Sequence, residues 1–168
     1  MMPYKKIFKP PVSRHRRVYH GGDHIYKEWY KPKYNYDKLH NIVELIKQVE
    51  PSYILEYGED EKSVWAKIKL IEGTSGFKRK WNSKFIKKIV NFIVNHYKSF
   101  YPIYHGDPSL ANILITNDGT LQYIDYDDIA VRTDKMNVLL HIQEKCVEGF
   151  GEKHTELIKQ IIGKHDIR

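Results

Sequence analysis

The most unusual stretch of the sequence is "YPIYHGDPSLANILITNDGTLQYIDYDD", which covers residues 101–128. It places Asp107, Asn112 and Asp125 beside two short apolar runs. Amide and carboxylate oxygens are the ligands that a hard divalent cation such as Mg²⁺ prefers, and a carboxylate can also accept a proton from a hydroxyl. These residue types therefore predict a site that holds a metal ion and a proton acceptor close together.

A β-hairpin is predicted to bring these side chains to one place. Asp118-Gly119 is a strong signal for a two-residue type I′ turn, in which both central residues have positive φ. The apolar runs on either side of this turn then form two antiparallel strands. A turn centred between those two residues places Asn112 directly opposite Asp125, with their Cα atoms roughly 4.5–5.5 Å apart. Asp107 reaches the same end of the hairpin from the preceding loop.

The first part of the chain is predicted to be rich in β-structure, with one helix. Arg16–Tyr30 forms a hairpin around a Gly-Gly-Asp turn. Apolar residues recur at helical spacing from Asp37 to Val49, and a proline two residues later ends that helix. Two further strands, "YILEYG" (53–58) and "SVWAKIKLIEG" (63–73), follow the helix.

The second part of the chain is predicted to be mostly helical. It follows the stretch "IEGTSG" (71–76), an expected hinge whose glycines and small hydroxyl residues resist regular structure. Ser83–Ser99 carries its apolar residues on one face of a helix. Two more helices are expected at about 134–148 and 152–162, separated by Gly149-Phe150-Gly151. A β-rich part followed by a helical part indicates an α+β layout with two lobes.

The bulk composition is that of an ordinary folded domain. The chain has 168 residues, of which 41% are hydrophobic and 29% charged, which is too apolar for a disordered protein. No apolar run approaches the roughly 18 residues that span a membrane, and the N-terminus lacks the apolar core of a signal peptide. A single cysteine, Cys146, excludes an internal disulfide. We therefore expect a cytoplasmic protein, whose net charge of +7 favours an anionic partner.

The motifs "HGDPSLANIL" and "YIDYDD" resemble the catalytic loop and the metal-binding motif of the protein-kinase-like fold. The spacings match: five residues separate Asp107 from Asn112, and thirteen separate Asn112 from Asp125. His-Gly-Asp, where most protein kinases carry His-Arg-Asp, is typical of aminoglycoside phosphotransferases, choline kinases and related small-molecule kinases. The resemblance implies one kinase-like domain, with a small β-rich N-lobe (1–70), the hinge (71–76) and a reduced helical C-lobe (77–168).

The same resemblance implies a role for each residue of the two motifs. Asp107, with Asn112 beside it in the catalytic loop, would orient the hydroxyl of an acceptor and accept its proton. Asn112 and Asp125 would bind the Mg²⁺ that bridges the phosphates of ATP. Asp127 lies where small-molecule kinases often carry a further acid, and it would join the metal site. His105 would be structural, tying the loop to the strand that precedes Asp125.

The resemblance also implies a set of ATP-binding residues in the first part of the chain and in the hinge. Lys27, on a strand after a hairpin turn, would bind the phosphates. Glu44 lies on the following helix, at a plausible distance in sequence to pair with Lys27. On a helical projection, however, Glu44 falls about 140° from Leu39 and therefore lies off the apolar face. Glu50 projects closer to that face but lies at the end of the helix. The backbone that would bind the adenine edge belongs to Ile71, Glu72 and Gly73.

The sequence departs from the kinase pattern in two places. No glycine-rich loop precedes Lys27, where the stretch is "FKPPVSRHRR". Proline cannot donate a backbone N–H, so phosphate contacts there would come from the side chains of Ser13, Arg14, Arg16 or Arg17. The C-lobe is short, so its acceptor pocket would be shallow, or would be completed by a protein partner or a second copy of the chain.

Three functions remain open on the sequence alone. The first is an ATP- and Mg²⁺-dependent phosphotransferase acting on a hydroxyl of a small molecule or sugar, or on a protein Ser or Thr. The second is a pseudokinase-like regulatory module that binds nucleotide. The third is a nucleic-acid-binding protein, favoured by the basic, aromatic-containing run "FKRKWNSKFIKK" (77–88). No recognised nucleic-acid-binding motif is present, so we rank the phosphotransferase first and regard a nucleic-acid partner as unfavoured.

Overall fold

The chain divides into two units, Met1–Leu70 and Ile71–Arg168. The computed structural model describes residues 16–31, 33–76 and 81–165, together with the backbone of Lys5–Lys6. The order of elements is α+β, as the sequence predicts, with a sheet-rich first unit and most of the helices in the second. None of the helices in this described part combines the length and apolarity needed to cross a bilayer.

The first unit is built on a five-stranded antiparallel sheet. Its strands lie in the order β1-β2-β3-β5-β4. Their bounds are Lys5–Lys6 (β1), Arg16–His20 (β2), His24–Tyr30 (β3), Ile54–Glu59 (β4) and Ser63–Lys69 (β5). The predicted hairpin is confirmed, because β2 pairs with β3 and Gly22 in the turn between them has a φ of 85°. Both later strands predicted from the sequence are also confirmed.

Helix α1, Tyr36–Val49, matches the helix predicted from apolar spacing. Asn35 caps its N-terminus, where the side-chain oxygen accepts a hydrogen bond from the N–H of Lys38 at 2.9 Å. Its buried side chains recur every three or four residues, so they form one apolar face, and burying each stabilises the fold by about 1.5–3 kcal/mol. These side chains are Leu39, Val43, Ile46 and Val49.

In β3 and β5, the buried residues of this sheet alternate with more exposed ones over most of each strand. Lys27 and Trp29 of β3 are buried, and they lie opposite Ala66 and Val64 of β5, which are buried as well. On the other face, Tyr26 stacks on the Trp65 ring at a centroid distance of 5.6 Å. The alternation of β-structure therefore places the amine-bearing side chain of Lys27 on the same face as the apolar core residues.

The described residues of the second unit form three α-helices and two small sheets. The helices are α2 (Ser83–Phe100), α3 (Lys135–Phe150) and α4 (Thr155–Ile162), which pack on one another. One sheet has the order β6-β8-β9, and the other pairs β10 with β7. The strands are β6 (Gly73–Ser75), β7 (Ile103–Tyr104), β8 (Ile113–Thr116), β9 (Leu121–Tyr123) and β10 (Ala130–Val131).

Two predictions about irregular segments are wrong. The expected hinge (71–76) is not irregular throughout, because Gly73–Ser75 forms β6 and pairs with β8, with Gly73 opposite Thr116. A Cβ on Gly73 would lie 2.7 Å from the Ile115 carbonyl oxygen, so the glycine permits close pairing rather than disorder. Gly149 does not end α3, since the helix continues to Phe150 and only Gly151, with a φ of 91°, lies outside it.

Candidate active site

The motif segment of the second unit lies between two paired strands. β7 leads into it and β10 leads out of it, and these strands pair with Tyr104 opposite Ala130 and Ile103 opposite Val131. The start of the "HGDPSLAN" loop is therefore held next to the end of the "YIDYDD" segment. The hairpin β8–β9 connects the two motifs, so each motif is anchored at both ends by regular structure.

Asp107 and Asn112 contact each other directly. The Asn112 side-chain amide donates hydrogen bonds to Asp107 Oδ2 at 2.8 Å and to the Asp107 carbonyl oxygen at 3.2 Å. The backbone N–H of Ser109 donates to the other carboxylate oxygen, Oδ1, at 3.3 Å. Asn112 is buried, while Asp107 is half-buried. The carboxylate is therefore fixed by donors on both oxygens, yet it remains accessible on one side.

Asp125 has an unusual backbone conformation. Its φ of 61° and ψ of 60° are left-handed, and among the described residues it is the only one other than glycine with positive φ. Left-handed backbone costs most residues about 1–2 kcal/mol, and such strain is common at functional sites. The turn that follows, Tyr126–Asp128, is a short 3₁₀ helix that contains Asp127. Just before the strained residue, the N–H of Ile124 donates to the Asn112 carbonyl at 2.9 Å.

The predicted register of the hairpin is wrong by one residue. Ile113 pairs with Tyr123 and Ile115 with Leu121, so the residue opposite Asn112 is Ile124 and not Asp125. The turn has three residues rather than two, because only Gly119 in it has positive φ. A one-residue slip reverses which face a strand residue points to. Asp125 lies beyond the end of β9, where the left-handed backbone sets its direction instead.

His105 ties the two motifs together, as the sequence predicts. Its Nε2 lies 3.0 Å from the Ile124 carbonyl oxygen, so the bond joins the loop to the chain just before Asp125. The imidazole stacks on the Tyr123 ring at a centroid distance of 4.2 Å and lies 4.6 Å from the Tyr126 ring. Both His105 and Tyr123 are buried. This packing makes the histidine a structural residue.

Gly106 is required by a close approach that the sequence did not reveal. Its φ is 88°, and a Cβ at this position would lie 2.5 Å from the carbonyl carbon of Asp128. No side chain fits there, because the atom in the way is backbone and cannot rotate aside. The glycine of His-Gly-Asp therefore allows the loop to lie directly against the turn that follows Asp125. Gly106 is part of the motif, but nothing in the local sequence indicates its contact with Asp128.

The predicted ATP-binding residues of the first unit lie on its sheet and helix. Lys27 is 6% exposed on β3. Glu44 lies on the exposed side of α1, where its carboxylate forms an ion pair with Lys47 at 2.8 Å. The salt bridge lowers the pKa of Glu44. Its pairing with Lys27 stays a prediction.

The remaining predicted residues of the nucleotide site lie at the start of the second unit. Ile71 is half-buried, Glu72 is exposed, and Gly73 is part of β6. Their binding to adenine stays a prediction. Of the four residues proposed to contact phosphates before Lys27, Ser13 and Arg14 lie outside the described residues, as does the part of the basic run at 77–80.

The donor set suits a magnesium ion better than a zinc ion. No three His, Cys, Asp or Glu side chains converge on a metal site within the part of the chain that the structure describes. The Asn112 nitrogen is occupied by Asp107, which leaves its Oδ1 oxygen as the atom available for a cation. Mg²⁺ typically takes one or two carboxylates and completes its shell with water and phosphate oxygens. An amide oxygen and two carboxylates are the kinds of ligand that this ion takes, and binding of Mg²⁺ by Asn112, Asp125 and Asp127 stays a prediction.

Sequence comparisons found no relatives. No protein-family model matches the sequence, and no curated protein matches it either. The fold, in contrast, is similar to that of solved structures, several of which are of WbdD.

A medium-resolution structure of the bifunctional kinase-methyltransferase WbdD has a TM-score of 0.67 and 15% identity, over 97% of this chain and 46% of that one. A co-crystal structure of WbdD with the kinase inhibitor LY294002 has a TM-score of 0.64 and 14% identity, over 97% and 45%. Monomeric WbdD has a TM-score of 0.56 and 17% identity, over 90% and 45%.

The chain spans less than half the length of these structures. Identities of 14–17% show similarity of fold alone. The element order and these similarities together show that the chain has an α+β fold similar to that of part of WbdD.

Proposed function

We propose that the chain is an ATP- and Mg²⁺-dependent phosphotransferase of the small-molecule-kinase type. It would transfer the γ-phosphoryl group to a hydroxyl of a small molecule or sugar. The observation that carries this proposal is the hydrogen bond from Asn112 to Asp107, in a loop that His105 bonds to the chain just before Asp125. This arrangement provides a proton acceptor, an amide oxygen and a carboxylate within one rigid segment.

Asp107 is proposed as the general base. The acceptor oxygen attacks the γ-phosphorus, the bond between that phosphorus and the β,γ-bridging oxygen breaks, and ADP leaves with the bond's electrons. The proton of the hydroxyl passes to the Asp107 carboxylate. Hydrogen bonds from Ser109 and Asn112 hold that carboxylate in place, so little reorganisation is needed when the acceptor binds.

Asn112, Asp125 and Asp127 are the proposed holders of Mg²⁺. When bound, the ion neutralises charge on the phosphates. The left-handed backbone at Asp125 supports this role, because strain of about 1–2 kcal/mol is usually retained where a function requires the side-chain direction. Lys27 is proposed to bind phosphate, and the backbone of Ile71–Gly73 to bind adenine.

A nucleotide-binding module without catalysis is the second candidate. The observation that favours it is the Glu44–Lys47 ion pair, since it occupies the acid that was expected to position Lys27. Such a module would bind Mg-ATP through Asp125. Its rate of ATP turnover would be the same with Asp107 present as with Asp107 replaced. The two candidates therefore differ in the effect of one substitution.

The test is a comparison of Mg-ATP turnover in three variants, measured as ADP formation. Asp107→Asn should lower kcat by roughly 10²–10⁴-fold and leave the KM for ATP nearly unchanged, because it removes the base but not the metal site. Asp125→Asn should weaken nucleotide binding. Asp118→Asn makes the same charge change in the exposed hairpin turn and serves as the control. Equal turnover in wild type and Asp107→Asn would exclude the phosphotransferase and leave the module.

A further inference from the structure

A cavity of about 440 Å³ opens in the second unit beside the "HGDPSLAN" loop. This volume lies within the range of small-molecule sites, roughly 300–1,000 Å³. Gly106 forms part of its wall, so the cavity begins one residue before Asp107. The polar side chains that line it are those of Tyr104, Asp128, Arg132, Asp134, Asn137 and His141.

Hydrogen bonds among these residues hold the wall of the cavity in shape. The Tyr104 hydroxyl lies 3.1 Å from His141 Nδ1. The Asn137 amide donates to Asp134 Oδ2 at 2.6 Å, and the Asn137 backbone N–H donates to Oδ1 of the same residue at 3.0 Å. These bonds join β7 to α3 and fix the first turn of α3. A cavity with bonded walls loses little entropy when a ligand binds.

The charges of the lining residues disfavour an anionic ligand. Two carboxylates, Asp128 and Asp134, face one guanidinium, Arg132, so a phosphate or carboxylate ligand would meet more repulsion than attraction. Carboxylates accept hydrogen bonds from hydroxyls, while a guanidinium and an amide donate to hydroxyl oxygens. A molecule with several hydroxyl groups satisfies both kinds of partner.

The wall of the cavity also includes an apolar part. Val138 also lines the cavity, and it is 4% exposed, as is Tyr104. Burial raises the pKa of Tyr104, with smaller contributions from Cys146 and from the nearby charge of Asp107. The phenol therefore stays neutral in the wall of the cavity. It also lies within electrostatic reach of the proposed base.

We propose that this cavity binds the phosphoryl acceptor and that the acceptor is a polyhydroxylated molecule of the sugar class that carries no phosphate or carboxylate group. The inference rests on the proposed function, and it adds the chemical class of the acceptor and the residues that recognise it. Arg132 and Asn137 are specificity residues in this account, since they are exposed side chains that border the cavity.

The test combines a binding measurement with a turnover measurement on the full chain. Saturation-transfer NMR would be recorded with the methyl glycosides of glucose, mannose and galactose, each up to about 20 mM, and with glucose 6-phosphate. Mg-ATP turnover would be measured with the same compounds. The variants are Arg132→Ala and Asn137→Ala, with Lys159→Ala on α4 as a control that removes the same charge from an exposed ion pair.

We expect at least one methyl glycoside to bind and to stimulate turnover of Mg-ATP. We expect glucose 6-phosphate to bind more weakly than that glycoside. Both cavity variants should weaken binding of that glycoside about tenfold and raise its KM, while the Lys159→Ala control keeps wild-type glycoside binding and turnover. Three results would overturn this inference and leave the proposed function in place. They are hydrolysis of Mg-ATP without glycoside binding, glycoside binding by the cavity variants that equals that of wild type, and binding of glucose 6-phosphate that is tighter than that of the glycosides. If the glycosides bind and the cavity variants weaken that binding, but Mg-ATP is never consumed, then the proposed function is refuted. The role of the cavity as an acceptor site is refuted by the same result.

Discussion

Replacement of Gly106 by alanine tests the contact that joins the two motifs. The added Cβ meets two separate penalties. A φ of 88° disfavours an L-residue by about 1–2 kcal/mol. The Cβ would also lie 2.5 Å from the Asp128 carbonyl carbon, and relieving such an overlap by moving backbone costs a further 1–3 kcal/mol or so. We therefore expect Gly106→Ala to reduce the free energy of unfolding by about 2–5 kcal/mol.

Gly119→Ala is the matched control, because Gly119 has a φ of 83° and no atom within 4 Å of the position of an added Cβ. This variant should show only the conformational penalty, about 1–2 kcal/mol. Urea unfolding followed by circular dichroism measures both, and the difference between the variants isolates the overlap with Asp128. Equal destabilisation of the two variants would refute the close approach of the loop to Asp128.

Three further predictions concern single residues of the second unit. Asp125→Gly should be about 1 kcal/mol more stable than Asp125→Ala in urea unfolding, since only glycine adopts the left-handed backbone without cost; equal stabilities would contradict that conformation. Burial, with a smaller effect of His105, lowers the pKa of His96 to about 4 from the usual 6.5. The unfolded chain therefore binds a proton at a higher pH than the folded chain, and the free energy of unfolding decreases as the pH drops below about 6.5. About 2 kcal/mol should be lost between about pH 8 and pH 5, and His96→Phe should remove this part of the slope; an unchanged slope would exclude a neutral, half-buried imidazole. Tyr97→Phe should raise stability by about 1 kcal/mol, because the buried Tyr97 hydroxyl has no hydrogen-bond partner among the described residues; a loss of stability would reveal one.

Local patterns predicted the helices and the first hairpin well. The spacing of apolar residues in α1 follows from one buried face, and the capping residue Asn35 precedes it in the sequence. The end of α3 is harder to predict, because a glycine such as Gly149 is typical of a position where a helix ends. In the fold this glycine faces Leu110, and a Cβ would lie 2.8 Å from the leucine side chain. The glycine serves packing between elements, which local sequence does not show.

The candidate site was predicted in residue types but not in geometry. The sequence indicated that Asp107, Asn112 and Asp125 act together, and the first two form a direct hydrogen bond. The register error arose because Asp118-Gly119 suits both a two-residue turn and the last positions of a three-residue turn. The Gly106 contact and the cavity beside it depend on residues 20 or more positions apart, so only the folded chain brings them together.

Calorimetry of ATP binding shows whether Asp125 helps to hold a metal–nucleotide complex. Titrations would be made with and without Mg²⁺ on wild type, Asp125→Asn and the control Asp118→Asn. We predict binding that requires Mg²⁺, is retained in the control, and is weakened at least about tenfold in Asp125→Asn, as expected for loss of a charged ligand. Absence of binding by wild type at millimolar ATP, or equal binding with and without Mg²⁺, would exclude a magnesium-dependent nucleotide site at Asp125.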